Sequence, residues 1–258
     1  MAYQGLQFSF AEMHKEIVNM KRLAQPFLDS RSFYNVIPEW QRQLEYFERE
    51  RHPSGAQLSW SISENDPVKT EFSEGEYEAK PRKGNYKLYG CISGVWQISK
   101  PPSKGKKKAF RSPYFTLQGL ASTKIVIWTP GTNGADIELA RWTLEVGGAD
   151  SPGCHFHTQI NLDHEDHKFP SNLPVPRLPA VLVTPMDALD FLLAELFHDT
   201  WYEHTSRETD PVKQWRVCQG SRLGSLLNWQ GQKIREATGS PWTTFKRQKP
   251  SANIFYSG

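Results

Sequence analysis

Hydrophobic positions along this chain keep one rhythm at its two ends and another in its middle. Near the N-terminus Met13, Ile17, Met20 and Leu23 recur every three or four residues, the spacing of a helix that buries one face. Ser9 and Glu12 stand at capping-box spacing, Phe8 and Met13 at that of a hydrophobic staple, and Pro26 closes the run. A second helix is expected from Pro38, burying Trp40, Leu44 and Phe47 and stopping before Pro53. Residues 63–83 are polar and read as a loop or a weak edge strand.

From Gly84 the texture becomes that of strands. They are expected over residues 85–99, 114–128, 135–146 and 154–163, joined by short connections rich in Gly, Pro, Ser and Asn. Such connections favour an antiparallel meander. Gly90 and Gly94, inside the first of these strands, mark a bulge or a close backbone approach. After a proline-punctuated passage and the apolar run 180–183, helical spacing returns. Thr184-Pro185-Met186-Asp187 provides a cap, a proline at the first helical position and an acid in the first turn. Leu189, Leu193, Leu196 and Thr200 follow on one face. Asp210-Pro211 opens another helix. A last one covers 221–237, with Leu223, Leu226, Leu227 and Ile234 inward and Gly239 as its stop.

This order predicts a single α+β domain over residues 1–258, with N-terminal helices in 9–52, strands in 84–183, C-terminal helices in 184–238 and a tail in 239–258. The expected sheet is an antiparallel meander of about four to six strands. The N-terminal helices and the C-terminal helical third pack on one of its faces.

Composition narrows the class. With 258 residues, 38% hydrophobic and 12% aromatic, the chain buries a sizeable core and is not a disordered one. No window approaches a membrane-spanning length of apolar residues. Three widely separated cysteines, Cys91, Cys154 and Cys218, form no zinc-type pair and fit a reduced, cytoplasmic setting. A net charge of +3 is too small to imply a nucleic-acid partner unless the charge is clustered.

The strand 154–163 carries the densest chemistry. Cys154, Phe156, Thr158, Ile160 and Leu162 alternate with His155, His157, Gln159, Asn161 and Asp163, so the histidines share the polar side. That side is expected to be open to water or to line a cleft. If Val146 faces Cys154 across the connecting loop, Glu145 stands opposite His155, Thr143 opposite His157 and Arg141 opposite Gln159. The candidate catalytic set is therefore His155, His157, Gln159, Glu145 and Arg141. A carboxylate can orient an imidazole and raise its basicity, an arginine can hold a phosphate, and a histidine so placed can attack phosphorus. The same residue types also make up ordinary solvent-facing strands with small cross-strand stabilisation. No metal site is expected; the run Asp163-His164-Glu165-Asp166-His167 has no standard ligand spacing. No cofactor is identified by any motif.

His155-x-His157-x-Gln159 followed by Ile160 resembles the signature of the transferase branch of the histidine-triad superfamily, typified by the galactose-1-phosphate uridylyltransferases. The resemblance covers about six of the 258 residues. It implies that His157 is a nucleophile taking up a nucleoside monophosphate and that Gln159 contacts the phosphate. Phe156 and Thr158 depart from the small residues usual at those places. A metal-binding cupin pattern fits less well, because Gly148 and Glu165 are displaced from its spacing.

Positive charge is clustered twice. Lys104, Lys106, Lys107, Lys108 and Arg111 fall between two strands, as a hairpin loop suited to phosphate contact or as a merely solvated one. Arg216, Arg222, Lys233, Arg235, Lys246, Arg247 and Lys249 lie towards the C-terminus, with Trp242 and Phe245 among them. Aromatic rings beside cations are what base stacking with phosphate contact uses; they also serve to anchor a tail. Glu195, Asp199 and Glu203, with His198 and His204 nearby, read as the wet side of a helix. The expected function is that of a non-enzymatic accessory protein whose basic loop and C-terminal surfaces contact nucleic acid or a larger protein complex. The alternative is a nucleotidyl transferase or phosphohydrolase acting through His157.

Overall fold

The computed structural model describes residues 5–49, 56–73, 87–100, 112–147, 154–160 and 177–255. Ser9 caps α1 (Phe10–Ala24) by accepting the Glu12 N–H, and Phe8 and Met13 flanking the cap are both buried. α2 (Ile37–Arg49) buries Trp40, Leu44 and Phe47, as its spacing predicts. Before α1 stands a short strand the pattern did not announce, β1 (Leu6–Ser9).

The sheet has eight strands, and all its pairings are antiparallel. Its main path runs β2 (Gln57–Ile62), β4 (Tyr89–Ser99), β5 (Tyr114–Pro130), β6 (Asp136–Val146), β7 (Phe156–Ile160) and β8 (Arg177–Pro179). β1 pairs with β5, and β3 (Val68–Lys69) pairs with β4. The meander is as expected. Of the extra strands, β1, β3 and β8 are too brief for alternation to reveal them. β2 does alternate, Leu58, Trp60 and Ile62 against Gln57, Ser59 and Ser61, and sequence reasoning passed over it.

Strand alternation separates two faces. Ile92, Trp96, Ile125, Leu144, Val146 and Phe156 enter the core, while their neighbours Cys91, Ser93, Lys124, Arg141, Glu145 and Gln159 take the other side. The core is strongly aromatic. Trp40 and Trp60 stack with ring centres 4.0 Å apart, and the Trp60 indole N–H donates to the Trp40 carbonyl at 2.8 Å. At Gly94 a Cβ would come within 2.5 Å of the Ser122 carbonyl oxygen, so the backbone contact expected there is real.

α3 (Pro185–Thr205) starts with a full capping box between Thr184 and Asp187 and is kinked at His198. α4 (Asp210–Arg235) is one continuous helix, not the two that Asp210-Pro211 and residues 221–237 suggested. Gly220 and Gly224 weaken helix propensity there without breaking the hydrogen-bond ladder. The supposed tail contains a short helix, α5 (Pro241–Arg247). α4 lies along α1 and reaches the sheet where Trp229 meets Phe156 edge-on at 5.9 Å.

A buried ionic cluster joins three helices. Arg222 donates to Glu16 and, at 2.9 Å, to Asp187; Thr184 Oγ1 donates to Glu16 at 2.7 Å. Burial alone would lower the guanidinium pKa, but Glu16 and Asp187 reverse that and raise it. Arg222 therefore belongs to the interior and leaves the C-terminal basic surface.

Candidate functional site

The histidine strand occupies the register that orders the site. Val146 pairs with Phe156, not Cys154, so Glu145 lies opposite His157 and Thr143 opposite Gln159. The slip from the expected pairing is two residues, which preserves the faces but changes every partner. The chain after Val146 stays extended long enough for the Gly147 N–H to reach the His155 carbonyl at 2.7 Å, and this displaces the turn.

Glu145, His157 and Gln159 come together as a closed set. His157 Nδ1 lies 2.7 Å from the Cys154 carbonyl, and Nε2 lies 2.8 Å from Glu145 Oε2. Gln159 Nε2 donates to the same carboxylate oxygen at 2.7 Å. The Cys154 carbonyl on one ring nitrogen, with the Glu145 carboxylate and the Gln159 amide (3.4 Å) on the other, locks the ring in place.

The polar side of this strand is not open, contrary to the expectation. His157 is 2% and His155 0% exposed. His155 precedes β7, and its ring meets that of Phe156 edge-on at 4.8 Å. Burial, then the charge of Lys249, then His157 push its imidazole down to about 3. Lys249 is thus close to the histidines, half-buried and not a free surface cation.

Arg141 is separated from this set. The last pair between β6 and β7 is Trp142 with Ile160, one residue short of it. It is clamped to Glu138 at 2.8 and 2.5 Å and borders a cleft of about 360 Å³ on the sheet face opposite the core, with Lys69, Tyr89, Cys91, Lys124 and Asp136. Lys124 pairs with Glu64, and Lys69 sits 3.7 Å from the centre of the Tyr89 ring. Burial raises the Cys91 thiol to about 11.

Lys104, Lys106, Lys107, Lys108 and Arg111 lie outside the described residues, as do Asp163 to His167 and the side chains of Lys246 and Arg247. At the C-terminal surface Arg216 pairs with Glu208 and Lys233 with Glu236, while Trp242 is 61% exposed. His204 is held at the Leu23 carbonyl, 2.9 Å away, and packs on Phe27 and Trp201. Among the described residues no group of three or more His, Cys, Asp or Glu is placed to hold a metal ion, and no helix is long and apolar enough to cross a membrane.

Sequence reasoning missed a groove of about 630 Å³ between α1 and α4. Glu16 and Arg222 line it, with Phe8, Trp215, Cys218 and Phe255. Burial, then the charge of Glu16, raises the Cys218 thiol to about 12. Glu16 and Arg222 lie 206 positions apart, and no local spacing announces such a pair. The chain matches no family model, no curated protein and no solved structure.

Proposed function

We propose that this chain is a non-enzymatic accessory protein that contacts nucleic acid or a partner subunit through its basic loop and C-terminal surfaces. One observation carries the choice of binding over catalysis. The best candidate nucleophile, His157, is almost fully buried and has both ring nitrogens against internal oxygens. The thiols of Cys91 and Cys218 are held protonated near neutral pH. A binding role rests on what is exposed instead: Trp242, with Phe245 6.4 Å away between ring centres, precedes Lys246 and Arg247 in the sequence. The expected site comprises the loop lysines 104, 106, 107 and 108, Arg111 and this C-terminal set.

Electrophoretic mobility shift with single-stranded and duplex nucleic acid at two salt concentrations tests the proposal. Binding that weakens steeply with salt and is lost on neutralising the loop lysines supports nucleic acid as the partner. No shift at low salt removes that version and leaves the subunit contact.

A second reading keeps His157 as a transferase nucleophile. Its support is that the Cys154 carbonyl holds Nδ1, so that the other nitrogen faces Gln159, 3.4 Å away. Glu145 would have to swing aside before Nε2 could attack. Incubation with a nucleoside diphosphate sugar should then leave an acid-labile mass increment on the intact protein. No increment, together with unchanged behaviour of His157→Ala, eliminates this reading.

A further inference from the structure

We propose that α4 pairs, antiparallel, with the same helix of a second copy of this chain. The buried face of α4 carries Val212, Trp215, Arg222 and Leu226. A different stripe lies on the opposite side: Val217, Gly220, Leu227 and Ile234 are exposed, and Gly224 and Gly231 between them are half-buried. These positions alternate steps of three and four, the spacing that keeps one seam facing a partner helix. Val217 is 73%, Leu227 53% and Ile234 48% exposed. Leu227 and Ile234, expected inward from the sequence, thus point to solvent.

Three features of this face identify the occupant. The first is its lack of charge. Between Val217 and Ile234 the only charged residues are Arg222 and Lys233. Arg222 is buried against Glu16 and Asp187, and Lys233 bonds Glu236 with its side chain 20% exposed. In a chain that is 23% charged, a solvent face without charge is the composition of an interface centre.

The second is the glycines. No described residue outside the helix backbone lies within 4 Å of where a Cβ would stand at Gly220 or Gly224, and at Gly231 only Arg235 Nη1 does, at 3.5 Å. Nothing inside the chain therefore calls for them, although each weakens the helix relative to alanine. A second backbone approaching closely does call for them.

The third is symmetry. Reversing the stripe about the point between Ser225 and Leu226 maps it onto itself. Val217 then meets Ile234 of the second copy, Gly220 meets Gly231, and Leu227 enters the gap left by Gly224. A two-fold interface needs this self-complementarity, whereas an unrelated helix does not. The flanking pairs in that arrangement are Leu223 with Gln230, Ser221 with Asn228, Gln214 with Arg235 and Arg216 with Ala237, so no like charges oppose each other. The paired stretch is about 27 Å long at 1.5 Å per residue, short for an obligate interface, and the dimer is reversible.

Sedimentation equilibrium of the full chain from low to high micromolar concentration tests this. The expected mass rises from 29.6 kDa towards twice that value. Gly224→Gln and, separately, Leu227→Lys should each weaken association at least tenfold. Neither side chain is needed within the monomer, so thermal melting of the dilute protein should stay unchanged or, for Gly224→Gln, rise. A chain that remains monomeric throughout, or a dimer that both variants leave intact, overturns the proposal.

Discussion

Acid should unfold this protein partly through one residue, His155. Its imidazole is fully buried and titrates at about 3 in the folded chain, against an ordinary 6.5. Between those values the unfolded chain binds a proton that the folded chain refuses, so stability falls as pH falls. The contribution is intact above about pH 6.5 and disappears progressively towards pH 3. Each pH unit within the window is worth about 1.36 kcal/mol. From pH 7 to pH 4 the loss is about 1.36 × (6.5 − 4), roughly 3 kcal/mol, a large part of the 5–15 kcal/mol that holds an ordinary domain together. The cause is chiefly burial, to which the charges of Lys249 and His157 add. The measurement is urea unfolding at several pH values for the natural chain and for His155→Asn, which cannot titrate. Other acid-sensitive groups act in both proteins and cancel, so the difference in slope isolates His155 even where the variant is less stable overall. The natural chain should lose about 3 kcal/mol more than the variant over that range. Parallel stability–pH curves would refute the reasoning and put the histidine in contact with water.

Other substitutions should report on packing and on the ionic cluster. Arg222→Met strands Glu16 and Asp187 in the interior and should cost about 3–5 kcal/mol in chemical denaturation, whereas substituting an exposed arginine such as Arg235 should stay within about 0.5 kcal/mol. Trp60→Ala removes the ring stacked on Trp40 together with its hydrogen bond, and a loss of about 3–5 kcal/mol is expected, read as a lower denaturation midpoint. Gly94→Ala drives a methyl group against backbone, not against a yielding side chain, and should cost about 1–3 kcal/mol. At Gly90 the nearest atoms belong to the Leu192 side chain, which can turn away, so Gly90→Ala should be the milder of the two in the same assay.

The relation between Glu145 and the two histidines shows how much of the site local pattern could carry. Alternation put Glu145, His157 and Gln159 on one face, and the structure keeps them there. Which residue meets which depends on a register set by the bond from Gly147 to His155, and period-two alternation cannot detect a shift of two. Arg141 shares the face yet lies beyond the end of β7, because strand length, and not alternation, decides how far a patch extends.

Sequence alone was enough for the order of elements, the caps at Ser9 and Thr184, the antiparallel meander and the buried positions of α1 and α2, since all of these follow from spacing within a few residues. It was not enough wherever the outcome depended on what lies across the fold. The burial of His155 and His157 required the fold around them, and Leu227 and Ile234 point outward because Trp215, Arg222 and Leu226 already occupy the inner face of α4. Glu16, Asp187 and Arg222 meet only because three helices converge. A helix or strand announces its own apolar side by periodicity, but the charge, water or second surface on the far side is determined by segments distant in the chain. Only the tertiary structure brings those segments together.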